Sequence, residues 1–171
     1  ERMFDSRGSL ASALASDVAN ALAGAISRNG EAVLAVSGGK TPQLFLDTLS
    51  DIDIKWNRVS VTLVDERMVD EDDERSNARF VREHLMRNRA VKAVFVALYR
   101  NAEAEEVGSF DVVVLGMGND GHTASYFPAA DHLAEAIDER AEKRLIELTA
   151  PGAPEPRLSF TLPDILQADL I

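Results

Sequence analysis

Residues 111–125 read Asp111-Val112-Val113-Val114-Leu115-Gly116-Met117-Gly118-Asn119-Asp120-Gly121-His122-Thr123-Ala124-Ser125. The first five form a short, β-branched apolar run, which predicts a buried strand. Gly116, Gly118 and Gly121 then allow a sharp turn that exposes backbone N–H groups. Asp120 and His122 place a carboxylate and an imidazole two residues apart on that turn. Thr123-Ala124-Ser125 is expected to open a short helix, which Pro128 limits. A strand end, a nest of amides, a neutral base and a helix start together suit a reacting anion, so this is the candidate active-site loop.

Outward from this loop, strands and helices alternate. Leu10, Leu14, Val18, Leu22 and Ile26 predict a helix with one apolar stripe, stopped at Asn29-Gly30. Ala32 to Val36 reads as a strand covered on both faces, followed by the loop Ser37-Gly38-Gly39-Lys40-Thr41. Thr41 should cap the next helix, with Pro42 in its first turn and Leu44, Phe45, Leu46 and Leu49 on its buried side. Val59 to Val64 predicts a strand ending at Asp65-Glu66-Arg67, and Ser76 or Asn77 caps a helix carrying Phe80, Val81, Leu85 and Met86. Val94 to Leu98 reads as a strand, Asn101 to Val107 as a clipped helix, and Leu133 to Lys143 as helical. Leu145 to Leu148 is expected to be extended, Pro151 to Pro156 a rigid loop, and Ser159 to Leu162 a lead into a short helix from Pro163. Asp169-Leu170-Ile171 looks like the opening of another strand. This alternation implies a doubly wound, mostly parallel α/β sheet flanked by helices, as one domain over residues 1–171. Ligands of such sheets bind beyond the carboxyl ends of the strands, where Ser37–Thr41, Asp65–Arg67 and Gly116–His122 should converge.

The 171 residues are 46% apolar, enough for one core, and carry a net charge of −11. That charge disfavours nucleic acid and anionic membrane as partners. The acidic runs Asp70 to Glu74 and Glu103 to Glu106 read as solvated loops. With no cysteine, disulfides and thiolate metal sites are excluded, and no apolar run approaches a membrane span or a secretory signal. A cytoplasmic protein is expected. An anionic ligand would need placed cations, and Lys40, Arg67, Arg79 and Arg157 are the candidates. Arg79 suits a helix surface better.

Two nucleotide motifs are matched only in part. Gly116-x-Gly118-x-x-Gly121 has the letters of the dinucleotide fingerprint, but Pro128 shortens the helix that would receive a pyrophosphate. No acid ends a following strand at the required spacing. Gly39-Lys40-Thr41 resembles the end of a P-loop, yet Leu34 occupies the place of its first glycine. What remains is a glycine turn with a lysine, suited to a phosphate monoester or a carbonyl oxygen. His84 and His132 read as structural or surface residues, and three scattered histidines give no metal-ligand spacing.

Ser37-Gly38-Gly39-Lys40-Thr41-Pro42, Asp65-Glu66-Arg67, Ser76-Asn77-Ala78-Arg79, Gly116 to Ser125 and Pro156-Arg157-Leu158-Ser159 together resemble the 6-phosphogluconolactonase family. These are cytosolic hydrolases of the oxidative pentose phosphate pathway, related in fold to glucosamine-6-phosphate deaminase. The resemblance runs in order over essentially the whole chain. It departs at Met68, Tyr126 and Ala129, which stand where the family has tryptophan, leucine and glycine. The stretch between Leu98 and Phe110 is short for the family. The chain also ends at Ile171, before the strand, Gly-x-x-Lys turn and helix with which the family continues. Because ending inside an apolar strand leaves a sheet edge open, residues 1–171 are expected to belong to a longer protein.

The resemblance implies a modified Rossmann-like fold and hydrolysis of 6-phospho-D-glucono-1,5-lactone without metal or organic cofactor. His122 would take a proton from the attacking water and return it to the ring oxygen, and Asp120 would orient the imidazole. Amides of Gly38-Gly39 or of Gly116–Gly121, Gly118 included, would hold the oxyanion. Ser37, Thr41, Asp65 and Asn77 become substrate contacts, and Lys40, Arg67 and Arg157 phosphate cations. A monomer or weak homodimer acting on a small sugar-phosphate lactone is expected. The alternatives are a glucosamine-6-phosphate deaminase-like isomerase and a non-catalytic sugar-phosphate sensor.

Overall fold

The structure is a computed structural model that describes residues 2–100, 104 and 106–171. The chain opens with α1 (Arg7–Asn29). Ser6 caps it: its hydroxyl accepts the Ser9 N–H at 3.1 Å, and its own N–H donates to Ser9 Oγ at 3.2 Å. The helix ends where the Gly30 N–H bonds to Ile26 O at 2.9 Å. Its buried face is Ala11, Ala15, Val18, Ala19, Leu22, Ala25 and Ile26, whereas Leu10 is 46% exposed and Leu14 half-buried. A four-residue repeat drifts about 40° per step against the helical period, so the stripe centred on Leu22 leaves the core by Leu10. Among the described residues α1 alone is long and apolar enough to cross a membrane, because its alanines count as apolar. Here it packs on α2 (Gln43–Ser50) and on strand β1 (Ala32–Val36) as a core helix.

Four parallel strands form the central sheet in the order β4 (Val94–Val96), β2 (Val59–Leu63), β1, β5 (Val112–Val114). Leu34, at its centre, pairs with Val61 on one side and Val112 on the other. Leu170 pairs with Val112 in a parallel bridge beyond β5, in keeping with the strand opening expected at Asp169–Ile171. The clipped helix expected at 101–107 lies mostly outside the described residues.

A second, antiparallel sheet has the order β3 (Asp65–Arg67), β7 (Ala153–Phe160), β6 (Leu145–Ala150). Val64 joins the two sheets: its N–H bonds to Val36 O and its carbonyl accepts the Phe160 N–H, both at 3.0 Å. Residues 153–156 are therefore strand and not the expected rigid loop. Pro154 and Pro156 share the parity of Phe160, so their missing N–H groups face the side of β3, where the last bond, beyond Arg67, runs from the Met68 N–H to Pro156 O at 2.9 Å.

Three helical expectations are corrected. The helix expected over 133–143 contracts to α4 (Leu133–Ala136), because Asp138 Oδ1 accepts the Arg140 N–H at 2.9 Å and stabilises a turn instead. Thr123–Ser125 is a turn and not a helix start: Ala124 has φ 47°, and Ser125 and Tyr126 are each anchored to the antiparallel sheet. At α2 the capping position is Pro42, with no side-chain cap, so Thr41 does not cap it. Leu44 of α2 is 46% exposed, while Phe45, Leu46 and Leu49 are buried as expected. Ser76 caps α3 (Asn77–His84) by accepting the Arg79 N–H at 3.2 Å, and α5 (Leu162–Leu166) carries Pro163 in its first turn.

Candidate active site

The three loops meet at the carboxyl ends of β1, β2 and β5 through specific bonds. The Ser37 N–H bonds to Val114 O at 3.0 Å, and Ser37 Oγ accepts the Gly116 N–H at 3.2 Å, tying the first loop to the third. Ser125 Oγ donates to Asp65 Oδ2 at 2.6 Å, tying the third to β3. Asn77 Nδ2 donates to Asp65 O at 2.9 Å while its side chain presses on Gly38. A Cβ at Gly38 would stand 2.1 Å from Asn77 Oδ1, so this close approach requires glycine.

Glu66 anchors that junction from behind. It is 2% exposed and accepts the N–H groups of Arg67, Asn77 and Ala78, each at 2.7 Å, with Ser76 Oγ at 3.2 Å. Burial raises its carboxyl above the ordinary value, while these four donors pull the other way. The carboxylate thus fastens β3 to the N-terminus of α3.

These contacts enclose a cleft of about 270 Å³. Of the residues singled out from sequence, Ser37, Gly38 and Thr41 line it from the first loop. Asp65, Arg67 and Arg157 line it from the antiparallel sheet, Asn77 from α3, and Gly118 and His122 from the third loop. Gly39 is not part of this lining. Lys40 is exposed and lines a neighbouring, more apolar cavity beside Leu10, Leu14 and Leu44. Arg79 bonds to Glu83 at 2.9 Å on the surface of α3, as expected. His84 meets Asp47 at 3.0 Å, and exposed His132 meets Glu135 at 3.4 Å, both away from the cleft.

His122 is held on three sides. Its Nδ1 lies 2.6 Å from Asp120 Oδ1, and that hydrogen bond, first among several causes, keeps the exposed Asp120 carboxyl below the ordinary range. An ionised carboxylate only accepts, so Nδ1–H donates, and in the neutral imidazole this tautomer leaves the lone pair on Nε2. A Cβ at Gly118 would stand 2.3 Å from His122 Cε1, so the ring edge lies over a position open only to glycine. Phe127, which sequence reasoning passed over, stacks on the imidazole with centroids 4.0 Å apart and planes at 29°. The amides of Gly116, Gly118 and Gly121 are engaged by Ser37 Oγ, His122 O and Gly118 O, so these three glycines do not supply the expected oxyanion donors.

Arg67 and Arg157 are direct cross-strand partners between β3 and β7. Burial, then the charge of Arg67, lowers the affinity of the Arg157 guanidinium for its proton, with Asp65, Glu155 and Glu66 opposing. Each arginine has a buried Nε without a hydrogen-bond partner among the described residues, and Asn77 Oδ1 is likewise unpaired. Like charges opposite one another cost stability, and an anion between them would reverse the sign.

The fold and site define an α/β protein with a His–Asp pair and facing guanidiniums at its strand ends, a class equipped to move protons on an anionic substrate. The sequence signature described as glucosamine-6-phosphate isomerases/6-phosphogluconolactonase matches residues 5–171, and the chain belongs to that family. It is 45% identical to a 6-phosphogluconolactonase of Rhizobium meliloti, over 97% of this chain and 77% of the relative. A 6-phosphogluconolactonase of Mesorhizobium japonicum is 47% identical, over 98% of this chain and 76% of its own. The crystal structure of a 6-phosphogluconolactonase from Shewanella baltica superposes with a TM-score of 0.92 at 40% identity, covering 96% of this chain and 76% of that one.

Proposed function

We propose that this chain hydrolyses 6-phospho-D-glucono-1,5-lactone to 6-phospho-D-gluconate, with His122 as general base and then general acid. The relatives described above are 6-phosphogluconolactonases, which favours the lactonase over a deaminase-like isomerase or a silent sensor. The observation that carries the residue roles is an imidazole whose Nδ1 is engaged by Asp120 and which lines the same cleft as the Arg67–Arg157 pair.

With Nδ1–H held by Asp120, Nε2 accepts a proton as water attacks the lactone carbonyl, and the carbonyl π electrons move to oxygen. Positioned base assistance of this kind is worth about 10²–10⁴-fold. With Gly116, Gly118 and Gly121 already engaged, the amide of Gly38, which lines the cleft, becomes the donor to the oxyanion, a good donor contributing roughly 3 kcal/mol. Collapse of the tetrahedral intermediate breaks the bond to the ring oxygen, which takes the proton back from Nε2–H. Asp120 stabilises the imidazolium between these events. Arg67 and Arg157 hold anionic oxygens of the substrate, and Ser37, Thr41, Asp65 and Asn77 meet its polar groups. We place the enzyme in the cytoplasm, as a monomer or weak homodimer.

Lactone hydrolysis followed by pH-stat tests the reading, with the spontaneous rate subtracted. The intact chain should exceed that rate and His122→Ala should lose most of the excess. Undiminished turnover by His122→Ala removes the imidazole from the mechanism. Ammonia release from glucosamine 6-phosphate would favour the isomerase instead.

A further inference from the structure

Among the described residues, Phe127 is the one aromatic ring that touches both the base and a cleft cation. Its ring stacks on His122 at 4.0 Å, and the Arg157 guanidinium carbon lies 5.4 Å from the same centroid. Two bonds hold the segment that carries it: the Phe127 N–H bonds to Ser125 O at 2.9 Å, and the Ala130 N–H to Phe127 O at 3.1 Å. Its neighbour Tyr126 is fixed through a phenol that donates to Phe160 O at 2.7 Å. Through Tyr126 the ring is therefore referenced to β7, the strand that also supplies Arg157.

The Asp120 carboxylate fixes one point of the imidazole but leaves the ring free to swing about that hydrogen bond. Gly118 meets only the edge of the ring, through Cε1 and Nδ1, and not its face. A flat apolar surface against one face is what remains to set the plane, and offset stacking is the geometry aromatic rings prefer. We infer that Phe127 is a positioning residue, which sets the plane of the His122 ring and its distance from Arg157, so that Nε2 meets the substrate carbonyl while the guanidinium holds an anionic group. This rests on the role proposed above for His122. Phe127 also lines the cleft, but a misplacement of about 1 Å in a reacting group costs on the order of 10²-fold in rate, so a loosened ring should be costly chiefly in kcat.

The test compares Phe127→Ala, Phe127→Leu and Phe127→Tyr with the unchanged chain, by steady-state lactone hydrolysis and by ¹H–¹³C NMR of the His122 Cε1–Hε1 group. The alanine variant should lose about 10- to 100-fold in kcat, with KM changed by less than about threefold. Its Hε1 resonance should move downfield as the ring-current shielding of the stacked phenyl is lost. Phe127→Leu should show the same displacement, and Phe127→Tyr should restore both rate and shift. Folded Ala and Leu variants that keep kcat within about twofold overturn the inference. So does a loss of kcat with Hε1 unmoved, or one that tyrosine does not restore, since the effect then bypasses the imidazole. Should the alanine variant fail to fold, the Leu and Tyr pair carries the same reading. His122→Ala separates the two levels: an inactive His122→Ala beside unaffected Phe127 variants sinks this inference alone, whereas an active His122→Ala sinks the proposed mechanism with it.

Discussion

The two sheets divide the labour of the molecule. The parallel sheet is built from Ala32–Val36, Val59–Leu63, Val94–Val96 and Val112–Val114 and contributes no ionisable side chain to the cleft. The antiparallel sheet has three strands against four in the parallel one, yet it supplies Asp65, Arg67 and Arg157 and anchors both Ser125 and Tyr126 of the histidine loop. Largely apolar strands with a buried centre at Leu34, Val61 and Val112 hold position, and charged strands with one face on a cleft can recognise. The difference teaches that stability and recognition are separable here, because they reside in different ladders.

The largest blow to that division should come from the loop bridging the two sheets. His122→Ala is expected to lower kcat by about 10²–10⁴-fold with KM little changed, read by pH-stat. Next, Gly118→Ala forces a methyl into space held by the imidazole, 2.3 Å from Cε1. On the order of 10²-fold should be lost from kcat, since the ring must move by about 1 Å. Arg157→Gln removes one of the facing guanidiniums and should lower kcat/KM by about 10- to 100-fold, chiefly through KM. An unchanged KM there would strip the antiparallel sheet of its recognition role.

The converse experiment lies in the other sheet. Leu34→Ala should cost about 2–5 kcal/mol in denaturant unfolding while the folded fraction keeps its kinetics within about twofold. A large kcat defect in folded Leu34→Ala would break the comparison. The smallest effect concerns the rim, where Arg75 joins Asp73 to Glu155 of β7. Hydrogen bonding from Arg75 lowers the Asp73 carboxyl from 3.8 to about 2. A depressed carboxyl stabilises the fold above its unfolded value, so this increment should vanish as pH falls from 3.8 through about 2. Asp73→Asn should flatten urea midpoints across that window.

The parallel sheet was legible because Ala32–Val36 and Val112–Val114 are contiguous apolar runs after which glycine loops must follow. Its topology placed Ser37, Asp65 and His122 at one rim before any contact was known. The antiparallel sheet was opaque for physical reasons. Asp65–Arg67 has three charged residues in a row, and Pro154 and Pro156 mark a loop unless their parity toward the end of β3 is visible. Phe127 carried no signal either, since an aromatic beside a proline reads as packing until the imidazole is seen against it. The capture of Gly116, Gly118 and Gly121 amides by Ser37, His122 and Gly118 itself is a tertiary fact, and spacing alone made those groups look free.

Val64 gives its N–H to one sheet and its carbonyl to the other, so it sets the phase with which β3 begins. Side chains alternate along a strand, and Asp65 and Arg67 face the cleft while Glu66 faces α3. One extra residue spliced in beside Val64 would invert that phase, sending the aspartate and arginine toward the helix and a lone acid into the cleft. The composition of the enzyme would hardly change, yet its chemistry would be turned inside out by a single step of the chain.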